Sequence, residues 1–376
     1  MCVTRAMKTR VRPDCPHLTL RAFCLRVMCC WVFPMRFKLL KRVLVCLLLG
    51  VVALGRTAYA QLLPSYGRDR AGTSGFQFLK IPLDARSAAL GETVVAHAFD
   101  ASALFWNPAL AAQVEKFQIG LGHTAYFVDV RLDYWALLVP LSRSGVRLGL
   151  SLQMLDSGEM PVTTEFQPYG TGEMFQFRDV ALGVSFAQPL TDLFSYGLTA
   201  RYVRESVAGL VAQTVLLDLG IFYRVGDTGV QMGMAIRHFG FDGRPKGRLE
   251  RPMIGGEGRV QETHFDVITP PTTFLLGFSY ALWQHHPQHR LALLGQLTKP
   301  NDNAESFNIG TEYTWNRTLF VRIGYRLGVE EMRMPTLGVG LQLPEVFSGL
   351  GARFDYGFQN LERLGTVHRV GLNLEW

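Results

Sequence analysis

From about Phe117 to its last residue the chain alternates apolar and polar side chains in segments of about ten, a pattern that few folds accommodate. Leu319, Val321, Ile323, Tyr325 and Leu327 share one face, opposed by Arg322, Gly324 and Arg326. Leu350, Ala352, Phe354, Tyr356 and Phe358 are opposed by Gly351, Arg353, Asp355 and Gly357. Val146, Leu148, Leu150, Leu152 and Met154 likewise alternate with Arg147, Gly149, Ser151 and Gln153. Successive side chains of a strand point to opposite faces, so each segment reads as a strand with one apolar and one polar side.

A soluble sandwich alternates too, so the length of the segments and the make-up of the polar side decide between the two folds. About ten residues is what a tilted strand needs to cross a bilayer. The polar side mixes Gly with isolated Arg, Asp and Gln, and residues 61–376 hold only four Lys, unlike the Lys/Glu mixture of a water-facing sheet. Tyr134, Tyr202, Tyr223, Trp283, Trp315 and Trp376 gather near segment ends, as the aromatic girdles of membrane barrels do. The expected fold is therefore all-β, a transmembrane antiparallel β-barrel of about 14 strands over residues 116–376.

The segments are 116–125, 132–139, 145–155, 178–187, 196–204, 213–224, 229–238, 272–281, 290–297, 305–315, 318–326, 335–343, 349–358 and 366–376. Connections after even-numbered segments include 140–144, 225–228, 316–317 and 344–348, all five residues or fewer, and the two longest, 156–177 and 239–271, both follow odd-numbered ones. Short turns at one end and long loops at the other are the habit of outer-membrane barrels. In the last segment Val370, Leu372, Leu374 and Trp376 alternate with Arg369, Gly371, Asn373 and Glu375. Such an ending, here Gly371, Leu372, Leu374 and the terminal Trp376, resembles the signal read by barrel-assembly machinery.

The net charge of +7 averages two different regions. Residues 1–60 carry 11 of the 38 Lys+Arg and one of the 31 Asp+Glu, leaving 27 basic and 30 acidic residues in 61–376. Basic clustering of the kind that neutralises nucleic-acid phosphates is absent from that body, and no nucleic-acid partner is expected. All six Cys lie before residue 61 as well, which removes a disulfide framework, a Cys-ligated metal and a Cys nucleophile from the body. Met35 opens a basic stretch followed by the apolar run Val43–Leu54 and by Ala58-Tyr59-Ala60 before Gln61. These are the three parts of a secretory signal peptide, with Ala58, Ala60 and Gln61 at the cleavage point. The expected division is 1–34 as an upstream extension outside the native protein, 35–60 as signal peptide, 61–115 as an N-terminal segment and 116–376 as the barrel, lodged in outer-membrane lipid.

Residues 61–115 do not alternate. Two short Ala-rich helical pieces are expected between Asp84 and Ala109, broken at Gly91 and before Pro108, with Asp84 and Asp100 placed as N-caps. Pro108 disfavours helix at Asn107. The pairing of Asp100-Ala101-Ser102 with Asn107-Pro108-Ala109 resembles the N-terminal hatch of FadL-like long-chain fatty-acid transporters. The Ala85–Gly91 stretch, with the ending around Phe354–Phe358 and Leu364–Arg369, resembles most the PorV/PorQ-like branch of that superfamily and its spirochaete relatives of uncharacterised function.

That resemblance implies a plugged fourteen-stranded barrel. Its hatch or gate residues would be Asp100, Ser102, Asn107, Pro108 and Ala109. A wide lumen needs such a filler, because fourteen strands enclose more space than wall side chains fill. Phe99, Phe105 and Trp106 could offer an apolar surface to an acyl chain, with Arg147, Arg201, Arg237, Arg322, Arg326, Arg353 or Arg369 available to its carboxylate. The alternative is that the aromatics pack the plug to the wall while the Arg pair with Asp179, Asp218, Glu312 or Asp355. His285, His286 and His289 read as a solvated turn rather than a metal site. Hydrolase and phosphate-loop motifs are missing, so neither catalysis nor a cofactor is expected. Two functions stay open: passive uptake of a hydrophobic small molecule, long-chain fatty acids foremost, or a partner-binding scaffold in secretion or surface attachment.

Overall fold

A computed structural model describes residues 70–141, 145–252, 259–262, 264–329, 332–347 and 349–376. The expected start at Met35 and the cleavage residues Ala58, Ala60 and Gln61 lie outside the described residues.

Among the described residues sixteen strands follow one another: β1 Gln118–Ala125, β2 Arg131–Leu141, β3 Val146–Pro161, β4 Met174–Pro189, β5 Phe194–Val207, β6 Leu210–Arg224, β7 Val230–Gly240, β8 Leu249–Pro252, β9 Arg259–Glu262, β10 Thr273–Leu282, β11 His289–Pro300, β12 Ser306–Trp315, β13 Leu319–Leu327, β14 Thr336–Phe347, β15 Leu350–Asn360 and β16 Thr366–Glu375. All except β8 and β9 form one closed antiparallel barrel of fourteen strands, with β7 paired to β10. Closure satisfies backbone groups that lipid cannot. Every expected segment matches one wall strand.

The alternation has the cause inferred for it. Leu150, Val184, Leu219, Ile309, Val339 and Phe354 stand exposed on the outer face. Side chains between them point into the lumen, where Arg201, Asp218, Asn308 and Arg322 are fully enclosed. An apolar belt continuous around a barrel is a lipid-facing surface.

Two long connections depart from expectation. Strands β3 and β4 pair on past a bulge between Asp156 and Glu159, as far as Pro161 and Met174, so less of 156–177 is loop. Alternation stops near Leu155 because a strand that has left the lipid has no need of an apolar outer face. Within 239–271 the short β8–β9 hairpin forms its own two-stranded sheet.

Strand β16 closes the cylinder on β1 from Gln118↔Glu375 to Ala125↔His368. The amide of Trp376 donates to Phe117 O at 3.0 Å, and the two rings meet edge-on at 5.2 Å. Deleting Trp376 removes that clasp and is expected to cut the yield of heat-modifiable, folded barrel on gels. An unchanged yield would mean that the seam closes without it.

Candidate ligand-binding site

The lumen is occupied by the chain's own N-terminal segment. After a 3₁₀ turn at Gln77–Lys80, a helix runs over Ala85–Ala89, a second over Ala103–Trp106 and a longer 3₁₀ turn over Pro108–Gln113. Asp84 caps the first helix, accepting from Ser87 N at 2.7 Å, and also accepts from Trp106 Nε1 at 3.1 Å. The helix stops at Gly91, whose φ is +64°. Asp100 does not cap the second helix. Ser102 holds that place, and its amide donates to Asp100 Oδ1 at 2.9 Å in a local turn.

Small residues on both sides let the segment lie directly on the wall. A methyl group at Gly220 of β6 would overlap Asn107 Oδ1, and one at Gly324 of β13 would overlap the backbone of Leu90 and Gly91. Asn107 is the junction of the path. Its side chain donates to Val95 O at 2.8 Å and to Ile221 O of β6 at 3.1 Å, and accepts from Ala109 N at 3.1 Å. Its extended φ of −156° is what the following proline favours. Ala109 O is held in turn by Ser195 Oγ of β5 at 3.0 Å.

A ring of charges ties the segment to three wall strands. Arg86 grips Glu312 of β12 through Nε at 3.0 Å and Nη2 at 3.2 Å. Glu312 accepts from Arg322 Nε at 2.6 Å, and Arg322 Nη1 reaches Asp355 at 2.6 Å. Asp355 accepts from Arg353 Nε at 2.8 Å, Arg353 donates to Asp100, and Asp100 returns to Arg86 at 3.4 Å. Three guanidinium groups and three carboxylates thus close a neutral circuit, which is how buried charge is tolerated. His97 Nε2 adds a contact to Glu312 at 3.2 Å.

Toward the end of the barrel that carries the long connections, a cavity of about 530 Å³ opens between plug and wall, within the usual size of ligand pockets. Ile81, Pro82 and Trp106 line it from the plug, with Tyr126, Leu275, Met332 and Leu361 from the wall and its loops. Lys80, Arg237, Arg326 and Arg369 face it, against a single carboxylate among the described residues, Glu92. Lys80 is engaged by Asp302 at 2.9 Å and Arg326 by Glu92 at 2.6 Å. Burial opposes charge on Asp302, but the hydrogen bonds from Gln77 and Lys80 outweigh it, so its carboxyl stays below the ordinary value.

The other two cations are held differently. Arg369 donates to Gln359 Oε1 at 2.8 Å and to Pro82 O at 3.3 Å. Arg237 lies over the Phe105 ring at 3.9 Å, and its Nε has no partner. Among the described residues neither makes an ion pair. A bulge in the β6–β7 ladder at Asp218 lies beside Arg237, which follows Gly233 and Ala235 inward by simple alternation. The bulge puts His238 in the left-handed region at φ +58° and turns it inward as well, so that two successive side chains are only 3% and 1% exposed.

A family model, that of the type IX secretion system protein PorV, matches residues 65–293. The chain belongs to the PorV family. Two solved structures share its fold. A deltaS2S3 mutant of the TodX monoaromatic hydrocarbon channel aligns at a TM-score of 0.55 and 15% identity, covering 78% of this chain and 98% of its own. The Ralstonia pickettii toluene transporter TbuX aligns at 0.50 and 13% identity, covering 81% and 98%. No curated protein matches. This PorV-family chain is an outer-membrane β-barrel, and not an enzyme.

Of the residues singled out in the sequence, Trp106 lines the large cavity, together with Arg237, Arg326 and Arg369. Phe105 sits beneath Arg237, and Phe99 packs edge-on to Phe222 of β6 at 5.8 Å. Arg147 donates to Val114 O, where the plug leaves for β1. Arg201 pairs with Asp218 at 2.7 Å, while Arg322 and Arg353 belong to the charge ring. Those four Arg hold structure together and stand away from the large cavity. Lys80, Glu92, Tyr126 and Met332 escape a reading of the sequence. Only the polarity of Glu92 within an Ala-rich segment marks it out.

Proposed function

We propose that this PorV-family barrel takes up long hydrophobic molecules passively, with long-chain fatty acids as the ligand and residues 61–115 as the gate. The cavity carries the proposal. The apolar half of its lining suits an acyl chain, and Arg237 and Arg369, unpaired with any acid among the described residues, suit a carboxylate head. Removing a chain from water contributes about 0.8 kcal/mol per methylene, so no energy source is needed to load it. Two solved barrels of the same fold are described as channels for monoaromatic hydrocarbons and for toluene, which supports a hydrophobic cargo. On this reading the chain is exported with cleavage after Ala60, and Gly371–Trp376 is its assembly signal.

A second reading, a scaffold in secretion, draws on the PorV description and on the β3–β4 hairpin, at whose tip Phe166 and Tyr169 are 93% and 100% exposed. One experiment separates the two. Asn107→Ala with Pro108→Ala removes the hydrogen bonds to Val95 and Ile221 and relaxes the bend, at a cost of about 1–3 kcal/mol to plug docking. In liposomes, uptake of a labelled long-chain fatty acid is expected to change several-fold while the barrel stays folded. Leak of a small polar solute without changed fatty-acid flux would favour the scaffold, and no change in either flux would reject gating by the plug.

A further inference from the structure

We infer that Glu92 is a built-in competitor for the cavity's anion site, and that an anionic ligand settling on Arg237 and Arg369 also takes the neighbouring Arg326 from it. The inference rests on the uptake reading above and adds what sets the cavity's preference among ligands. Among the described residues Glu92 is the only carboxylate lining the cavity, against Arg237, Arg326 and Arg369, and its contact with Arg326 is short, at 2.6 Å. The residue comes from the plug and its partner from the wall. In this state the plug's own side chain therefore occupies one cation of the cluster that a ligand head would seek.

The backbone beneath it is strained in a way that gives displacement a consequence. Gly91 and Glu92 are successive left-handed residues, at φ +64° and +66°. A glycine adopts that region freely, whereas a glutamate does so only where its surroundings hold it. Two contacts hold it here: its amide donates to Ser87 O at 2.8 Å, and its carboxylate is fixed by Arg326. The same turn presses on β13, where no Cβ fits at Gly324. A carboxylate arriving on Arg326 frees Glu92, and the turn at 90–93 loses one of its two ties. Binding and loosening of the plug are thereby coupled through one ion pair. A neutral ligand of the same shape makes no such exchange.

The test compares binding of palmitate and of hexadecan-1-ol to the full-length protein, as wild type, Glu92→Gln and Glu92→Gly. The first variant keeps shape and removes charge, and the second also suits the left-handed backbone, so that misfolding of one does not end the test. Both variants are expected to bind palmitate about tenfold more tightly than wild type, within the usual range of such couplings, with hexadecan-1-ol unchanged. Unchanged palmitate affinity in a folded variant overturns the competitor role and leaves the uptake reading standing. Equal tightening for both probes also overturns it, since the effect would then be steric. Failure of wild type and variants alike to bind either probe brings down the uptake reading and this inference together. If neither variant folds, Glu92 is a structural tie and the inference falls.

Discussion

Glu312→Gln is expected to destabilise the plugged barrel by about 3–5 kcal/mol, the largest effect of any single isosteric change here. Glu312 receives Arg86 twice, Arg322 once and His97 once, so removing its charge leaves two guanidinium groups in the lumen sharing what remains. The ring was neutral with three charges of each sign, and the variant carries an uncompensated one. Since Arg86 and His97 come from the plug, the loss should fall first on plug docking. The checks are the thermal midpoint of the heat-modifiable band and amide exchange over residues 85–100. A midpoint within a few degrees of wild type would mean that water already compensates these charges.

Gly324→Ala is expected to expel the turn at Leu90–Glu92 from its seat on β13, at about 1–3 kcal/mol for overpacking, and to raise single-channel conductance. The added methyl meets backbone atoms of Leu90 and Gly91, which have no rotamer to escape into. The matched control is Gly371→Ala on β16, where the nearest atoms are Leu121 O at 3.7 Å and Asp355 Cβ at 3.8 Å. That substitution should fall within about 0.5 kcal/mol of wild type, as most uncrowded changes do. Equal conductance in the two variants would mean that close wall contact does not hold the plug.

What could be read from the chain beforehand follows from which forces are local. Lipid imposes an apolar residue at every second wall position, so all fourteen strands show in the sequence, and the pattern fades where β3 and β4 rise above the lipid. Local chemistry also marks the plug's bends, through the Asp84 cap and the Asn107-Pro108 corner. Partner choice is not local. Arg322 and Arg353 looked available to a ligand because the partners that complete their pairing, Asp355 for Arg322 and Asp100 for Arg353, come from non-adjacent parts of the chain. Asp218, Glu312 and Asp355 do take Arg partners, whereas Asp179 instead stands opposite Glu205 across β4 and β5. Arg237 is legible as luminal from the alternation, but no hydrophobic pattern announces the bulge that turns His238 in beside it.

The central claim is that the space between plug and wall holds an acyl chain with its carboxylate on Arg237 and Arg369. Native mass spectrometry of the barrel, purified from outer membranes in mild detergent, tests this most directly. The expected result is a bound mass equal to a long-chain fatty acid, present in wild type and lost in Arg237→Gln with Arg369→Gln. A wild-type barrel that carries no lipid-sized adduct, and instead retains a stoichiometric protein partner, would contradict it.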